Sequence, residues 1–372
     1  MISKNVDGLS TISGEIEAEL EQYLKLFVIL YADDTVLLAE SCNDLQRQLD
    51  SLAEYCDLWK LKVNVQKSKI MIFTKGRLPQ NIVFNYNNVV LEIVNEYTYL
   101  GVLFSRTGSF SKAKKAQAEK ATCAMYEIIK KGRIHNLSIK CQLELFDKVF
   151  KPILLYGCEI WGYGNNSVIE RVHMKFCKLL LRVKKSTPDF MLYGELGRYP
   201  LDLNIKLRMI NYWSKLLTGK QEKLPALLYK LSFQLYGNDV PWLNSIKNIF
   251  DECGMSYVWN RQFFIRNTWL YTIIKQNLID QFKQSWHTTV QESPKALNYR
   301  IFKENLEFEH YFSKLDDKNI FTLCKFRTVN HKLPIESGRW QNIARENRKC
   351  TICDSGDIGD EYFKFGTEII YP

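Results

Sequence analysis

Two apolar runs flank a pair of neighbouring carboxylates near the start of the chain, and this stretch constrains the fold most strongly. The first run, Leu26 to Tyr31, is Leu-Phe-Val-Ile-Leu-Tyr, and Ala32, Asp33 and Asp34 follow it directly. The second run, Thr35 to Glu40, is Thr-Val-Leu-Leu-Ala-Glu. Both runs are rich in β-branched and aromatic residues and are short for a helix. The pattern therefore predicts two strands joined by a tight turn with the carboxylates at its tip.

The two acids at this tip have two interpretations. Asp is common in turns because its side chain hydrogen-bonds to nearby backbone, so a plain hairpin turn would explain both residues. Neighbouring carboxylates between runs this apolar are nevertheless costly to pack unless water or a cation faces them. A metal site is the second interpretation.

Tyr31-Ala32-Asp33-Asp34 in this setting resembles the catalytic hairpin of reverse transcriptases, and later motifs resemble those of non-LTR (LINE-type, jockey-like) retrotransposons. The resemblance implies a nucleotidyltransferase, an RNA-directed DNA polymerase, in which Asp33 and Asp34 hold Mg²⁺ and Tyr31 lies against nucleic acid. Mg²⁺ prefers hard oxygen ligands, and two ions about 4 Å apart stabilise the attacking and leaving oxygens of an in-line displacement.

An amphipathic helix is predicted over residues 43–60, because Ser41 and Asp44 form a capping pattern and apolar residues follow at helical spacing. Its predicted inward face consists of Leu45, Leu49, Leu52, Cys56 and Trp59. The next segment is predicted to be extended. Within it, Lys67 matches the family lysine near the leaving pyrophosphate, where an ammonium group offsets developing charge. A solvated strand-end lysine is the alternative.

Short strands are predicted from Ile82 to Phe104, with a turn at Asn87-Asn88. The segment Tyr99-Leu100-Gly101 matches the family's primer grip, a hairpin that holds the end of the growing strand. The resemblance therefore gives these three residues a role in binding nucleic acid. Judged from the residues alone, the glycine indicates either close approach to another chain or a simple bulge, and the bulge is favoured.

Three helices are predicted after residue 110, each with an apolar face and a basic back. The segment from Lys112 to Lys151 holds ten basic and four acidic residues. Such a block indicates a phosphate-bearing partner, although a solvated helix face is the plainer explanation. By resemblance these helices form the thumb, which binds the backbone of the template and primer duplex. The lysines assigned to this contact are Lys112, Lys115, Lys120, Lys130 and Lys131.

The second and third of these helices are located by their apolar residues. The second is marked by Leu143, Phe146, Val149 and Phe150 and is predicted to stop before Pro152. The third follows Asn166, and its predicted inward residues are Val168, Val172, Phe176 and Leu179.

Between them, Pro152 to Gly162 strongly resembles a Pro-x-Leu-x-Tyr-Gly-x-Glu-x-Trp stretch of the same elements. Glu159 lies there among aromatics, so a structural role and an Arg or Lys partner are predicted for it. Gly194-Glu195-Leu196-Gly197 also resembles family sequence, without an assigned chemistry. The later tryptophans are assigned mostly to packing, and the five histidines are interpreted as isolated residues outside any catalytic pattern.

The tail resembles half of a zinc knuckle, with Cys350 and Cys353 as a Cys-x-x-Cys pair. A structural zinc site normally needs four ligands. Phe363 occupies the expected histidine position, and the spacing of Cys324 and His331 does not fit the motif. Bound zinc is therefore not expected.

The 372 residues, 46% apolar and 25% charged, suit a globular protein of two or three domains. The predicted fold class is α+β, a remnant of a polymerase palm sheet followed by a mostly helical thumb and C-terminal region. The predicted domains are a partial palm (1–110), a basic thumb (111–190), a helical region (191–345) and a zinc-knuckle-like tail (346–372). The ten scattered cysteines and the lack of a long apolar run predict a cytoplasmic or nuclear protein that does not enter membranes.

The family polymerase begins well before its catalytic hairpin, with fingers, a first catalytic carboxylate and a nucleotide-binding segment. The chain is therefore expected to be a C-terminal part that lacks the first Asp, binds Mg²⁺ weakly or not at all, and is inactive alone. Its expected partners are RNA template, DNA primer and deoxynucleoside triphosphate, with no other small-molecule cofactor. Two alternatives are a non-catalytic, nucleic-acid-binding helical module and an unrelated helical scaffold with a chance Tyr-Ala-Asp-Asp sequence.

Overall fold

Short strands come first along the chain and helices dominate the rest, in a computed structural model that describes residues 28–77, 81–263, 268–351 and 356–361. The predicted α+β class is confirmed. The strands are β1 (Val28–Tyr31), β2 (Asp34–Leu37), β3 (Lys69–Ile70), β4 (Asn85–Tyr86), β5 (Val89–Val90), β6 (Glu92–Ile93), β7 (Glu96–Tyr99) and β8 (Val102–Ser105).

The helices follow one another with short connections. They are α1 (Cys42–Leu58), α2 (Ser111–Ile134), α3 (Ile139–Leu145), α4 (Lys151–Leu154), α5 (Cys158–Trp161), α6 (Ser167–Leu180), α7 (Asp189–Leu196), α8 (Leu201–Thr218), α9 (Leu224–Tyr236), α10 (Pro241–Glu252), α11 (Ser256–Arg261), α12 (Thr268–Glu292), α13 (Tyr299–Phe302), α14 (Tyr311–Lys314), α15 (Asp317–Arg327) and α16 (Pro334–Trp340). No helix in the described ranges is both long and apolar enough to span a bilayer.

The described strands pair two by two and form four small sheets. Three are antiparallel pairs of strands adjacent in sequence, β1 with β2, β4 with β5 and β7 with β8. The fourth is the parallel pair of β3 and β6. The turn of β4 and β5 is Asn87-Asn88, as predicted, with both residues in the left-handed region at φ 46° and 63°. Asn tolerates this conformation better than most residues and is favoured in such two-residue turns.

The chain divides into two compact units. The first unit comprises residues 1–116 and 219–237, and the second comprises residues 117–218 and 238–372. The predicted palm, thumb and tail boundaries remain predictions.

The first unit has a small core between α1 and the short strands. Leu49 and Ala53 of α1 pack with Ile70, Phe84 and other buried apolar residues, and Leu37 at the end of β2 packs against the same core. The helix begins as predicted, because the Ser41 hydroxyl accepts a hydrogen bond from the Asp44 backbone N–H at 3.1 Å. The Ser41 and Arg47 side chains also hold the pKa of the Asp44 carboxyl below its ordinary value.

Two glutamines of α1 attach this helix to neighbouring segments, a role that the sequence did not reveal. The Gln46 side chain donates to the Asn85 carbonyl at 2.8 Å and accepts from the Asn85 N–H at 2.9 Å. The Gln48 side chain donates to the Leu38 carbonyl at 2.9 Å, just after β2. The acidic hairpin is thus attached to α1 both by the packing of Leu37 and by this hydrogen bond.

One predicted member of the inward face of α1 is wrong. Trp59 is the C-cap residue, not a helical residue, and its side chain is 63% exposed. The helix ends there because Lys60 adopts a left-handed conformation with φ 56°, which turns the chain away from the helical path.

The second unit corrects the predicted stop before Pro152. Residues 139–154 form one continuous helical path, in which a π-helical segment, Phe146–Phe150, joins α3 to α4. Pro152 lies in the first turn of α4, where a missing N–H is tolerated because the helical bonding has been reset. Phe146 and Phe150 are fully buried as predicted, whereas Val149 is 48% exposed.

Helix α6 in this unit largely follows its prediction. Val172 and Phe176 are buried, Val168 and Leu179 are half-buried, and Arg171 is exposed. The prediction that the later tryptophans pack inside holds for half of the six: Trp213, Trp259 and Trp286 are buried, Trp242 is half-buried, and Trp269 and Trp340 are exposed.

Candidate functional site

The acidic stretch folds into the predicted hairpin. Strands β1 and β2 pair in the register Tyr31↔Asp34, so Ala32 and Asp33 alone make the turn and Asp34 begins the second strand. Ala32 is in the left-handed region with φ 53°. This conformation costs an L-residue about 1 to 2 kcal/mol. The tip therefore keeps a backbone strain that a glycine would remove. Backbone strain of this kind is often seen at functional sites.

Both carboxylates of the hairpin face solvent. Asp33 and Asp34 are exposed, and the neighbouring Tyr31 is 62% exposed. Among the residues that the structure describes, neither carboxylate has an ion-pair or hydrogen-bond partner. A neighbouring lysine would have argued against metal binding by neutralising the pair. The carboxylates are instead available to a cation.

The donor set fits a partly hydrated Mg²⁺ ion. Mg²⁺ usually keeps several waters and binds through one or two carboxylates together with substrate phosphates. Asp33 and Asp34 could supply those carboxylates. Across the described ranges, however, no group of three or more His, Cys, Asp or Glu side chains could hold a metal. The described residues thus offer two ligands and no complete protein cage.

Lys67 lies in a well-defined turn after α1. Its backbone N–H donates to the Asn64 carbonyl at 3.1 Å, and the Tyr97 hydroxyl donates to the Lys67 carbonyl at 3.2 Å. These bonds fix the backbone and leave the side chain exposed. No bond joins Lys67 to Asp33 or Asp34 within the described part of the chain. The role of Lys67 near a leaving group remains a prediction.

The segment assigned to the primer grip is also a tight hairpin, formed by β7 and β8. Tyr99 pairs with Val102, and the turn residues Leu100 and Gly101 both have positive φ, at 45° and 80°. Two-residue hairpin turns with this pattern need φ above zero at both positions. The bulge favoured for Gly101 is therefore wrong, because this glycine closes a turn. The predicted contact of the three residues with nucleic acid remains a prediction.

The five assigned lysines are all exposed on α2. Lys112 and Lys115 belong to the first unit, and Lys120, Lys130 and Lys131 belong to the second. Lys112 forms an ion pair with Glu96 of β7. Pairs this exposed contribute little to stability, so the ammonium group can exchange partners. The opposite face of α2 is buried through small apolar residues such as Ala113 and Ala121, as predicted.

The comparison with known families supports one interpretation of the acidic hairpin at Asp33 and Asp34. Residues 10–104 match the reverse transcriptase (RNA-dependent DNA polymerase) family. The match contains the acidic hairpin, Lys67 and the turn at Leu100 and Gly101, and it ends just before α2.

Proteins of insect mobile elements are similar to about half of the chain. A probable RNA-directed DNA polymerase from transposon BS of Drosophila melanogaster is 30% identical over 49% of this chain and 20% of its own length. The RNA-directed DNA polymerase from mobile element jockey of the same species is 24% identical over 46% of this chain and 19% of its own length. The chain thus spans about a fifth of the length of these relatives. No solved structure matches it. These similarities argue against the alternative of an unrelated scaffold with a chance acidic turn.

Beyond the reverse-transcriptase segment, Glu195 is the most deeply buried acid of the second unit, with 0% exposure. Arg327 donates to both of its carboxylate oxygens at 3.0 to 3.1 Å, and the Tyr311 hydroxyl donates at 2.7 Å. Burial alone would lower the pKa of Arg327, but Glu195 and Glu309 raise it above its ordinary value. The Gly-Glu-Leu-Gly motif thus has a structural role that sequence reasoning did not find.

His173 lies at the centre of a second buried network. Arg198 Nε donates to its Nε2 at 2.9 Å, and Nδ1 lies 2.7 Å from Glu170 Oε1. Because a guanidinium only donates, Nε2 must be the acceptor and Nδ1 must carry the proton. Burial lowers the pKa of His173, which agrees with a neutral ring. Arg198 also bonds to both oxygens of Asp147, at 2.9 and 3.0 Å.

The interpretation of the histidines as isolated is therefore wrong for His173. The signal was available, because Glu170 and His173 are three apart on α6 and such residues are neighbours on a helix. His173 has 0% exposure, so it cannot meet a substrate. Its role is to join α6 to the segment that follows α7.

The predicted cationic partner of Glu159 is not found. No ion pair involves this carboxylate within the described ranges. Its half-buried position leaves it some water, and its backbone carbonyl accepts from Trp242 Nε1 at 2.7 Å. Arg208, a possible cationic partner for Glu159, instead donates to the Leu155 carbonyl at 2.5 Å.

The zinc-knuckle-like tail is only partly described, because Cys353 and Phe363 lie outside the described residues. His331 uses both ring nitrogens: Nε2 is 2.6 Å from Glu361 Oε1, and Nδ1 accepts from the Leu333 N–H at 3.3 Å. Cys324 is fully buried. The expectation that zinc does not bind remains a prediction.

Proposed function

We propose that the chain is part of the RNA-directed DNA polymerase of a non-LTR, jockey-like retrotransposon. The observation that carries this proposal is the pair of exposed, unpaired carboxylates at the tip of a tight hairpin, inside the segment that matches reverse transcriptases. The substrates would be RNA template, DNA primer and deoxynucleoside triphosphate, in the cytoplasm or nucleus.

In this proposal each described element has a task. Asp33 and Asp34 would hold Mg²⁺, which would supply positive charge to stabilise the attacking and leaving oxygens. Lys67 presents an ammonium group to the leaving pyrophosphate. Tyr31 and the turn at Leu100 and Gly101 contact the primer. The first unit would contain the remaining palm strands, and the basic helices of residues 111–190 would form the thumb.

We further propose that the third carboxylate of the family lies outside the described residues. The lack of a three-ligand group in the described ranges supports this assignment. Two carboxylates cannot by themselves hold two cations in the geometry that displacement needs.

Metal binding at the hairpin can be measured directly. We expect Mn²⁺, as a paramagnetic substitute for Mg²⁺, to broaden the backbone NMR signals of residues 31–35 at about millimolar concentration, since two exposed carboxylates bind a hydrated cation weakly. The double variant Asp33→Asn with Asp34→Asn should abolish this broadening. Asp57→Asn, which changes another exposed acid of the first unit, should leave it unchanged.

Absence of specific broadening at the hairpin would contradict the proposed metal role. Primer extension on an RNA template is the complementary measurement, and the chain alone should incorporate no nucleotide. Mg²⁺-dependent incorporation that Asp33→Ala abolishes would establish polymerase activity. It would contradict the expectation that the chain is inactive alone.

The basic helix α2 supports binding of nucleic acid whether or not the chain is catalytic. We expect affinity for an RNA–DNA duplex to fall steeply with salt, because each neutralised phosphate releases counterions. Replacing both Lys130 and Lys131 with Gln should reduce the slope of log K against log salt by about 2, at roughly 0.9 per contact. The measurement is a fluorescence anisotropy titration at several salt concentrations.

The matched control replaces Lys230 and Lys275, which are exposed lysines outside α2. This control should keep the slope of the unmodified protein. A flat salt response of the unmodified protein, or equal losses in both double variants, would contradict a specific duplex contact at α2.

A further inference from the structure

Two aromatic rings lie exposed and side by side at the C-terminal end of α1. Tyr55 is 53% and Trp59 is 63% exposed, and their ring centroids are 6.2 Å apart with planes tilted by 42°. Leu58 and Leu61 beside them are 74% and 54% exposed. We call these four residues the aromatic platform. Its apolar area is not used in the core of the first unit, which is formed by the opposite face of α1.

The chain that follows the aromatic platform is basic and contains no acid. From Leu58 to Leu91 there are six Lys and Arg residues and no Asp or Glu. Lys69 pairs with Glu92, while the other five are exposed and have no carboxylate partner in the described ranges. We call residues 60–77 the basic strip. Apart from Lys67, which the proposed function assigns to the leaving pyrophosphate, its basic residues are Lys60, Lys62, Lys69, Lys75 and Arg77.

Lys60 joins the platform to the strip and has an unfavourable backbone conformation. Its φ is 56°, and the following N–H of Leu61 donates to the Cys56 carbonyl at 2.8 Å. This is the geometry of a Schellman helix end, where glycine is the usual residue because it tolerates the left-handed conformation. A lysine at this exposed position keeps strain that a glycine would remove. Such an outlier is a reason to test whether the side chain has a function besides ending the helix.

We propose that the aromatic platform and the basic strip together bind single-stranded RNA. Exposed aromatic rings followed directly in the chain by unpaired cations, as Trp59 is by Lys60 and Lys62, are a combination suited to single strands, since bases stack on the rings while phosphates meet the cations. A duplex cannot use the rings in this way, because its bases already stack on one another. The inference rests on the proposed function, in which the unpaired RNA template is the single strand that the protein handles.

The first test removes the larger ring. We expect Trp59→Ala to weaken binding of a labelled 12-nucleotide single-stranded RNA of mixed sequence by about tenfold, the scale for loss of one stacked base. Binding of a blunt-ended 12-base-pair RNA–DNA duplex should change by less than about twofold, because duplex bases cannot reach the ring. Trp340→Ala, which removes an equally exposed ring from the second unit, should leave both affinities unchanged.

The second test separates a functional from a structural role of Lys60. Lys60→Gly should raise the thermal unfolding midpoint, because glycine relieves the left-handed strain, and should still weaken single-stranded RNA binding by a few-fold. A purely structural role would not produce these opposite changes. Asn88→Gly, at another left-handed position of the first unit with φ 63°, should leave RNA affinity unchanged.

The outcomes also separate this inference from the proposed function. If the protein binds the duplex but Trp59→Ala keeps full affinity for single-stranded RNA, the proposed role of the aromatic platform is contradicted and the proposed function stands. Equal losses for duplex and single strand, tighter binding of the matching single-stranded DNA, or a changed oligomeric state of Trp59→Ala would each overturn the platform as an RNA site. If the unmodified protein binds no nucleic acid, both proposals fail.

Discussion

Arg327→Met will lower the free energy of unfolding by about 3 to 5 kcal/mol, the usual cost of removing one partner of a buried ion pair. The cause is Glu195, whose carboxylate has 0% exposure and would lose its three hydrogen bonds from the guanidinium. Hydroxyl groups such as that of Tyr311 cannot balance a buried negative charge. Urea denaturation of the purified protein, followed by circular dichroism, measures the change.

The double variant Glu195→Leu with Arg327→Met tests whether the unpaired charge of Glu195 causes the loss. Replacing both members of a buried pair by apolar residues is often neutral, and Glu309, the other carboxylate on Arg327, keeps its ion pair with Lys303, so the double variant should recover most of the loss. Lys206→Met, which removes a cation from the half-exposed Glu252, should have little effect. A double variant as unstable as the single one would show that packing around Arg327, and not the unpaired charge, causes the loss.

Gly197→Ala will lower the free energy of unfolding by about 3 kcal/mol or more, because it combines left-handed strain with a backbone clash. Gly197 has φ 59°, and a Cβ there would lie 2.4 Å from the Phe308 backbone nitrogen. The next nearest atoms also belong to backbone, that of Glu307, so no flexible side chain can move aside to make room. Thermal or urea unfolding measures the effect.

Gly164→Ala is the matched control, since Gly164 has φ 71° and nothing within 4 Å of the added Cβ. It should therefore cost only the conformational part, about 1 kcal/mol. The difference between the two variants isolates the clash. Equal costs would mean that the segment around Phe308 yields and that close packing there is not required.

The features that sequence reasoning found correctly are local ones. The acidic hairpin and the Asn87-Asn88 turn join residues only a few positions apart, so residue type and alternation determine them. Helix α1 was found because its cap and its apolar period lie within one short segment. The error at Trp59 arose from extending that period one residue beyond the helix, where the left-handed Lys60 changes the chain direction.

The features that sequence reasoning missed depend on distant partners or on unusual backbone. Glu195 and Arg327 are 132 positions apart, and no spacing rule connects them. The helical path through Pro152 depends on a π-helical segment, which has no simple sequence signal. The site itself was predicted as a pair of acids, but its exposure and lack of partners became known only from the structure.

The tautomer of His173 makes the second unit sensitive to acid. Its Nε2 faces a guanidinium that cannot give up a proton, so the folded ring resists protonation, and burial lowers its pKa. The unfolded chain has no such restriction and takes up a proton below about pH 6.5. Acidification from neutral pH therefore favours the unfolded state. Glu170 adds to the effect: burial alone would raise its pKa, but its hydrogen bonds hold the pKa below the ordinary value. One imidazole thus makes the attachment of α6 dependent on the proton concentration around it.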